Sequence, residues 1–419
     1  MIDDVLEESL RISGGVLVKG PKACGKTSST KRIAKSSISL DIDDDAILYI
    51  ETAPKLLLVG ETPRLIDEWQ VYPKIWNLVR HEIDERQDKG QFLLTGSSTP
   101  KKSSTLHSGA GRILSRKMRT LSIFEIQQHE NAIENPISLS GIVGGNKISP
   151  RVYKAKTIDD VIDEIRHGYW PGFYGDPTED AQMNIQGYID QIVNVDISEV
   201  DDIQRDPIGV RALMNVLAKN VATYATKDSM ALQAASFLDR EPKASTVSEY
   251  LGALERIGVF ERQASWMPHL RARYSIRKAA KLHYCEPSLA CALLGATHEQ
   301  LKTDLRYLGF LFESLVFHNM SAYASILGGE ILQYHDSKGL EVDQIYLGND
   351  GRWGAFEVKL GDTAQVIDAA ADTLLRFSKT IDTEKMGNPG CLAIITGLGN
   401  KAFTRADGIH VIPLHSIKP

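Results

Sequence analysis

No stretch of this sequence approaches 18 consecutive apolar residues, so no membrane-spanning helix is expected. The start, MIDDVLEESLRISGG, is acidic and lacks the basic-then-apolar layout of a secretory signal. Cysteine is scarce. The four present (Cys24, Cys285, Cys291, Cys391) form no CxxC pair, which argues against a disulfide scaffold or a zinc site and points to a reducing cytoplasm. Positive charge is not in excess either: 48 basic against 54 acidic residues leave a net charge of −6. That balance excludes a uniformly basic nucleic-acid binder but not a local basic patch. Internal repeats and low-complexity tracts are absent. What remains is ordinary soluble composition, 42% hydrophobic and 24% charged, in 419 residues. That length suits roughly two to four domains.

The first third alternates strand-like and helix-like runs. GGVLVKG (14–20) ends in glycine, and a helix-compatible stretch follows to about Ser36. KLLLVG (55–60), RLIDE (64–68) and QFLLTGSS (91–98) read as further strands. Between the last two, WQVYPKIWNLVRHEIDERQ carries Ile75, Leu78 and Val79 at helical spacing. Alternation of this kind implies an α/β core with a largely parallel sheet. The Gly-, Ser- and Pro-rich segment 134–151 reads as a loop ending a first domain, residues 1–150. Helical period dominates from 151 to 299, and SMALQAASFLDREPKASTVSEYLGALERIGVFERQ has the layout of a winged helix within about 205–265. Residues 300–419 switch to a second α/β domain. There LRYLGFLFESLVFHNMSAYAS reads as a helix, EVDQIYLGNDGRWGAFEVK as two strands about a turn, and CLAIITG and GIHVIPL as further strands.

Gly20-Pro21-Lys22-Ala23-Cys24-Gly25-Lys26-Thr27 matches G-x-x-x-x-G-K-[ST] in full, after an apolar strand and before a helix. Small residues let the loop turn its N–H groups inward around phosphates, with Ser28 next in line on the helix. Lys26 is expected to face the β- and γ-phosphates and Thr27 to supply a hydroxyl to Mg²⁺. In RLIDE, Asp67 leaves the strand end to hold the metal, and Glu68 is positioned to orient or deprotonate water. Thr95 or Ser97, at the end of FLLTGSS, is a candidate γ-phosphate sensor, or else a polar turn. The run 101–120 has six basic side chains and no acid. Arg112 or Arg116 in it is a candidate arginine finger, in cis or from a neighbouring copy in a homo-oligomer; a solvated basic face is the alternative.

A second set is Glu313, Asp343, Glu357 and Lys359. Glu357 and Lys359 are one residue apart on a strand and share a face, and the GNDG turn folds the Asp343 strand back alongside. Carboxylates meeting a lysine suit Mg²⁺ or Mn²⁺ and a metal-activated water, with Glu313 as a third carboxylate. A solvent-facing hairpin with Glu–Lys pairs fits the spacing as well. Cys24 reads as a small loop residue and Trp170-Pro171-Gly172 as a structural turn. Arg262, Arg271, Arg273, Arg277, Lys278 and Lys281 are either phosphate contacts beside the winged helix or a solvated face.

GPKACGKT, RLIDEWQ, FLLTGSS and the later GAGR together resemble a prokaryotic family of AAA-like P-loop ATPases. Its members carry a C-terminal region similar to restriction endonucleases. WPGFYGD, YIDQIVNVDISEV, FLFESLVFHNM, EVD and FEVK extend the resemblance over nearly the whole chain. It implies Lys26 and Thr27 for nucleotide and Mg²⁺, Asp67 and Glu68 for metal and water, and Glu313, Asp343, Glu357 and Lys359 for a nuclease-like centre. HYCEPSLA departs from it, with Glu286 where relatives carry aspartate. The function expected is ATP-dependent action on DNA, with Mg²⁺-dependent nuclease activity in prospect. The alternative is a nucleotide-switched regulatory or assembly protein whose nuclease-like domain binds nucleic acid or a partner without cutting. A small-molecule kinase is disfavoured, because the Asp67-Glu68 pair suits water activation.

Overall fold

The computed structural model describes residues 2–96, 109–200, 203–238, 241–268 and 279–419. Its first sheet contains β1 (Gly15–Lys19), β2 (Ser36–Ser39), β3 (Arg64–Asp67), β4 (Phe92–Gly96) and β5 (Ile113–Lys117), in the spatial order β2-β3-β4-β1-β5. All four pairings are parallel. Strand periodicity then divides the apolar residues between two covered faces. Val16, Val18, Leu65 and Leu93 join Leu6 and Leu10 of α1 (Ile2–Ile12) in one cluster. Leu17, Ile66, Phe92 and Leu94 join Ile75, Val79 and Ile83 of α2 (Ile75–Arg86) in the other.

Two expectations change here. KLLLVG is not a strand: Pro54–Leu58 is a 3₁₀ turn, and Leu57 and Leu58 are buried beneath the sheet. Pro54 starts that turn, which suits a residue with preset φ and no N–H. The second strand is instead the polar Ser36–Ser39, an edge strand whose Ile38 and Ser39 are buried. The helix expected over 69–87 splits around Pro73 into a 3₁₀ turn (Trp69–Val71) and α2.

After β5 the chain leaves this sheet. Ile123–His129 starts with a Ser122–Glu125 capping box, and its first amide donates to Asn319 Oδ1 at 2.8 Å. Within the segment read as a terminal loop, β6 (Ile137–Ser138) forms and β7 (Arg151–Val152) follows directly. β6 pairs with the chain's last strand, and β7 pairs, as the sheet's edge, with the strand Lys401–Thr404 near the C-terminus, so this segment is stitched to the C-terminal part of the fold.

The middle is helical. Ile158–His167 buries Val161, Ile162 and Ile165 behind a Thr157–Asp160 capping box. Thr178–Gln191 continues through a π turn, Ile192–Asp196. Pro207–Lys219, Lys227–Ala234 and Ala244–Arg256 then precede an antiparallel hairpin of β8 (Phe260–Gln263) and β9 (Lys281–Tyr284).

The C-terminal part opens with a 22-residue helix, α3 (Leu305–Ile326), burying Leu308, Leu311, Phe312 and Leu315 as the spacing predicts. An antiparallel run follows: β10 (Gly329–His335), β11 (Glu341–Gly348) and β12 (Trp353–Lys359). The helix α4 (Ala364–Ser378) crosses over to β13 (Cys391–Thr396), which lies parallel to β12. β14 (Lys401–Thr404) and β15 (His410–Pro413) complete a sheet of order β10-β11-β12-β13-β15-β14-β7, and β16 (Ile417–Lys418) is the partner of β6. Phe356 and Val358 pack with α3, while Trp353 and Ala355 pack with α4 on the other face. No helix among the described residues is long and apolar enough to cross a membrane.

Candidate functional site

The C-terminal ends of β1, β3 and β4 meet at one point. From β1 the chain enters the glycine loop, in which Ala23 (φ 61°) and Gly25 (φ 96°) take left-handed backbone. Alternation of this kind turns successive N–H groups into one concavity. Gly20 is required by space, since a Cβ there would lie 2.4 Å from the Met118 carbonyl oxygen. Gly25 caps the helix Lys26–Ile33, whose first turn holds Lys26, Thr27 and Ser28. The buried Lys26 donates from Nζ to the Gly20 and Pro21 carbonyls at 3.1 and 2.8 Å. Thr27 Oγ1 donates to Asp67 Oδ1 at 3.1 Å, and Thr95 Oγ1 donates to the same oxygen. Lys26, Thr27, Asp67 and Thr95 therefore come together, and Thr27 with Asp67 presents the hydroxyl and carboxylate that suit Mg²⁺.

Glu68 follows with left-handed backbone (φ 50°), which turns its side chain from the strand direction. Burial pushes its carboxyl above the usual range, against a hydrogen bond from Gln70 and the nearby Lys26 charge. A carboxylate with raised proton affinity is a better base. Two expected loop contacts face elsewhere. Lys22 pairs with the buried Asp196 of the π turn at 2.7 Å. Cys24 is buried against Met118 and Val18, and burial raises its thiol, so it acts as a small packing residue.

The arginine expectations are corrected in cis. Arg112 precedes β5, at the sheet end opposite the loop, and pairs with Asp84 at 2.6 Å. The length of β5 separates it from the loop end by roughly 13 Å. Arg116 donates to Ser9 Oγ at 2.7 Å. Neither reaches the Lys26 site within one chain. Ser97 lies outside the described residues, as do Arg271, Arg273, Arg277 and Lys278.

In the C-terminal sheet, the register that pairs Gln344 with Phe356 sets Asp343 opposite Glu357 one step further on. Lys359 Nζ contacts Glu357 Oε2 at 2.6 Å and Asp343 Oδ2 at 3.4 Å. The Val358 amide also donates to Asp343 Oδ2, at 2.8 Å. Glu313, from α3, reaches the same place, but a second lysine lies between. Lys281 of β9 sits 2.5 Å from Glu313 Oε1, 2.6 Å from Glu341 Oε1 and 3.3 Å from Asp343 Oδ1. Lys281, read from sequence as a phosphate contact or solvated residue, is almost fully buried (2% side-chain exposure). Arg262, its companion in that reading, instead pairs with Glu255 at 3.3 Å and lies over Phe260.

Burial and the Asp343 charge push Glu357 up to about 8, outweighing the Lys359 contact. Glu313 is likewise pushed up to about 8, by burial first and then Asp343. Burial would raise Asp343 too, but Lys281, Lys359 and the Val358 amide outweigh it and hold it below the usual range. Among the described residues no three His, Cys, Asp or Glu side chains are grouped as a metal site. The four residues expected together are together, with ammonium groups between the carboxylates.

Residues 13–127 match a family described as an AAA domain. The strand order and loop geometry above agree with that match. This part of the chain resembles an AAA-type P-loop domain. Residues 158–300 and 308–417 match two domains of unknown function, DUF8612 and DUF4143. No curated protein matches the chain. Solved structures similar to it include a Walker-type ATPase of Pyrococcus abyssi, at 13% identity over 70% of this chain and 94% of that one, TM-score 0.39. Another is AMPPCP-bound DnaA from Aquifex aeolicus, at 15% identity over 60% and 86%, TM-score 0.23. Drosophila ORC bound to DNA follows at 9% identity over 73% and 94%, TM-score 0.19.

The AAA-like domain contacts its neighbours through Glu261, Gly258 and Glu286, of which the sequence singled out only Glu286. Glu261 of β8 is buried between Lys117 (2.8 Å) and Arg119 (2.6 Å), at and just beyond the end of β5. Gly258 lies so close to the phosphate loop that a Cβ there would be 3.0 Å from the Pro21 nitrogen. Glu286, the departure from the family pattern, is fully buried and accepts from Thr120 Oγ1 at 2.8 Å. Burial raises its carboxyl. Its role is a junction between the segment after β5 and the helical middle. Glu261 and Lys281 carry no motif, and the motifs that contain Gln70 and Asp196 do not say what those side chains meet; only the tertiary fold reveals it.

Proposed function

We propose that this chain binds ATP with Mg²⁺ at the Lys26 loop, hydrolyses it, and acts on DNA. The observation that carries the ATPase reading is the convergence of Thr27 and Thr95 on Asp67, behind a buried Lys26 at a left-handed loop. In this reading Lys26 meets the β- and γ-phosphates, and Thr27 and Asp67 hold Mg²⁺. The metal supplies charge neutralisation on the phosphate oxygens. Glu68 takes the proton of the attacking water, its proton affinity raised by burial. Arg112 lies on the far side of its own sheet, so an arginine finger from it has to come from a second copy.

Two features support the DNA part of the reading. Three helices followed by the β8–β9 hairpin fit a winged helix. The order helix, three antiparallel strands, helix, parallel strand, with an acid from α3 and Asp343, Glu357 and Lys359 on adjacent strands, fits a restriction-endonuclease-like domain. One observation favours the second reading, a nucleotide-switched regulatory protein that binds without cutting. Lysine ammoniums, rather than a grouped metal set, compensate the carboxylates. The deciding experiment measures ATP turnover with and without DNA and resolves DNA products from the same samples. Turnover without products, in Mg²⁺ and in Mn²⁺, selects the regulatory reading; absence of turnover in all conditions refutes both.

A further inference from the structure

The first sheet has an open edge. Among the described residues β2 pairs with β3 on one side and with no strand on the other, so its outer row of N–H and C=O groups is a template for one more strand. A groove of about 620 Å³ runs along this edge, lined by Ser37, Ile38, Ile42, Tyr49, Leu56 and Val59. Ile42 and Val59 are 71% and 62% exposed. Apolar side chains left open beside an unpaired strand form a surface that suits strand addition by another chain.

The two ends of the groove carry opposite charge. At the start of β2, in register with Ser36, Arg64 lines the groove and is only 7% exposed. Its Nε donates to the Leu57 carbonyl at 2.8 Å and its Nη1 to Ser36 Oγ at 3.1 Å. Both partners are neutral, and no carboxylate among the described residues pairs with this guanidinium. A buried cation without a counter-ion is costly, and the remaining N–H groups of a planar fork match a carboxylate. Past the other end of β2, Asp43 accepts from the Ser39 amide at 2.7 Å and closes the strand. Asp44 and Asp45 line the groove beside it and form no ion pair among the described residues.

We propose that the β2 edge docks the C-terminal tail of a partner polypeptide, which adds antiparallel to β2 with its terminal carboxylate on Arg64. The charges fix that direction. The four residues of β2 span roughly 13 Å, so Lys or Arg about four positions before the tail's end meets Asp44 and Asp45. Apolar residues between them fill the groove against Ile42, Leu56 and Val59. A second copy paired through its own β2 would set these acids against themselves, and nucleic acid would meet them with phosphates. A basic tail ending in a carboxylate satisfies both ends.

The test is fluorescence anisotropy of the full-length protein with a labelled peptide of sequence GKKVTVV and a free carboxylate. Two companions are its C-terminal amide and a form with alternate backbone nitrogens methylated, which keeps the charges and cannot join a ladder. The free-carboxylate peptide is expected to bind, and each companion to bind at least about tenfold more weakly. Arg64→Gln should bind acid and amide equally. Should that variant fail to fold by circular dichroism, Ile42→Asp, at an exposed position, takes its place and should weaken the free-carboxylate peptide by at least about tenfold. Equal binding of acid and amide by the wild-type protein overturns the proposal. So does undiminished binding of the methylated peptide, which would show attraction to the acids alone. Absence of binding at about 1 mM peptide overturns it too.

Discussion

Gln70 Nε2 donates to Glu68 Oε2, so the candidate base is tethered by the residue two places after it. The tether favours the charged carboxylate, whereas burial, the larger influence, favours the protonated one. Glu68→Gln keeps the shape and removes the base. ATP binding should stay within about threefold, while turnover falls by about 10²–10⁴. Equal losses in binding and turnover would make Glu68 a structural residue.

Gln70→Ala separates the tether from the base. With the hydrogen bond gone, the Glu68 carboxyl rises further, and a group that must be deprotonated to act then limits turnover up to a higher pH. The acid limb of the turnover–pH profile should therefore move to higher pH in Gln70→Ala, with ATP affinity unchanged. A limb that moves down, or stays, means that Gln70 does not act through Glu68.

Lys26→Ala removes a buried ammonium aimed into the glycine loop. A hydrogen bond to a charged group is worth about 1.5–3 kcal/mol, so ATP affinity should fall by about ten- to a hundredfold. Hydrolysis should fall below detection. Normal turnover in this variant would refute the assignment of the site.

The first sheet was legible wherever an apolar run and a motif coincided, as in GGVLVKG-to-GKT and RLIDE. Ser36–Ser39 was not, because an edge strand needs few apolar side chains, and KLLLVG misled because leucines buried in a 3₁₀ turn look like a strand. In the second site, the one-residue spacing of Glu357 and Lys359 and the GNDG turn predicted their convergence with Asp343. What spacing could not carry was Lys281, more than 30 residues upstream of Glu313 and on another folding unit. A basic residue in a basic stretch reads as solvated until the fold buries it.

Glu261 should matter for stability out of proportion to its absence from any motif. It is buried with Arg119, itself 11% exposed, at 2.6 Å, and with the more exposed Lys117 at 2.8 Å. Removing one partner of a buried ion pair leaves the other uncompensated, at a cost of about 3–5 kcal/mol. The half-exposed Lys117 can return to water, so the lower end applies: Glu261→Ala should lower the urea-unfolding free energy by about 3 kcal/mol. A change under about 1 kcal/mol would show that the hairpin is held by packing alone.

The last prediction concerns pH and the acid centre around Asp343. Glu357 is pushed up to about 8 by burial and by the Asp343 charge, despite the 2.6 Å contact with Lys359. In the unfolded chain a glutamate titrates near about 4.3. Between those two values the folded protein holds the proton more tightly than the unfolded one, so the stabilisation from the protonated form is complete below about pH 4.3 and is lost as pH rises towards 8. One such group changes the unfolding free energy by up to about 1.4 kcal/mol per pH unit across that window. Glu357→Gln carries a neutral side chain at every pH and has no such loss. Relative to wild type, the variant should therefore gain stability between pH 5 and pH 8.5, read as a shift of its urea midpoint towards higher concentration. Comparing the two proteins at each pH cancels the titration of the carboxylates remote from the acid centre. Midpoints that differ by the same amount at both pH values would mean that Glu357 is ionised throughout and that Lys359 alone compensates it.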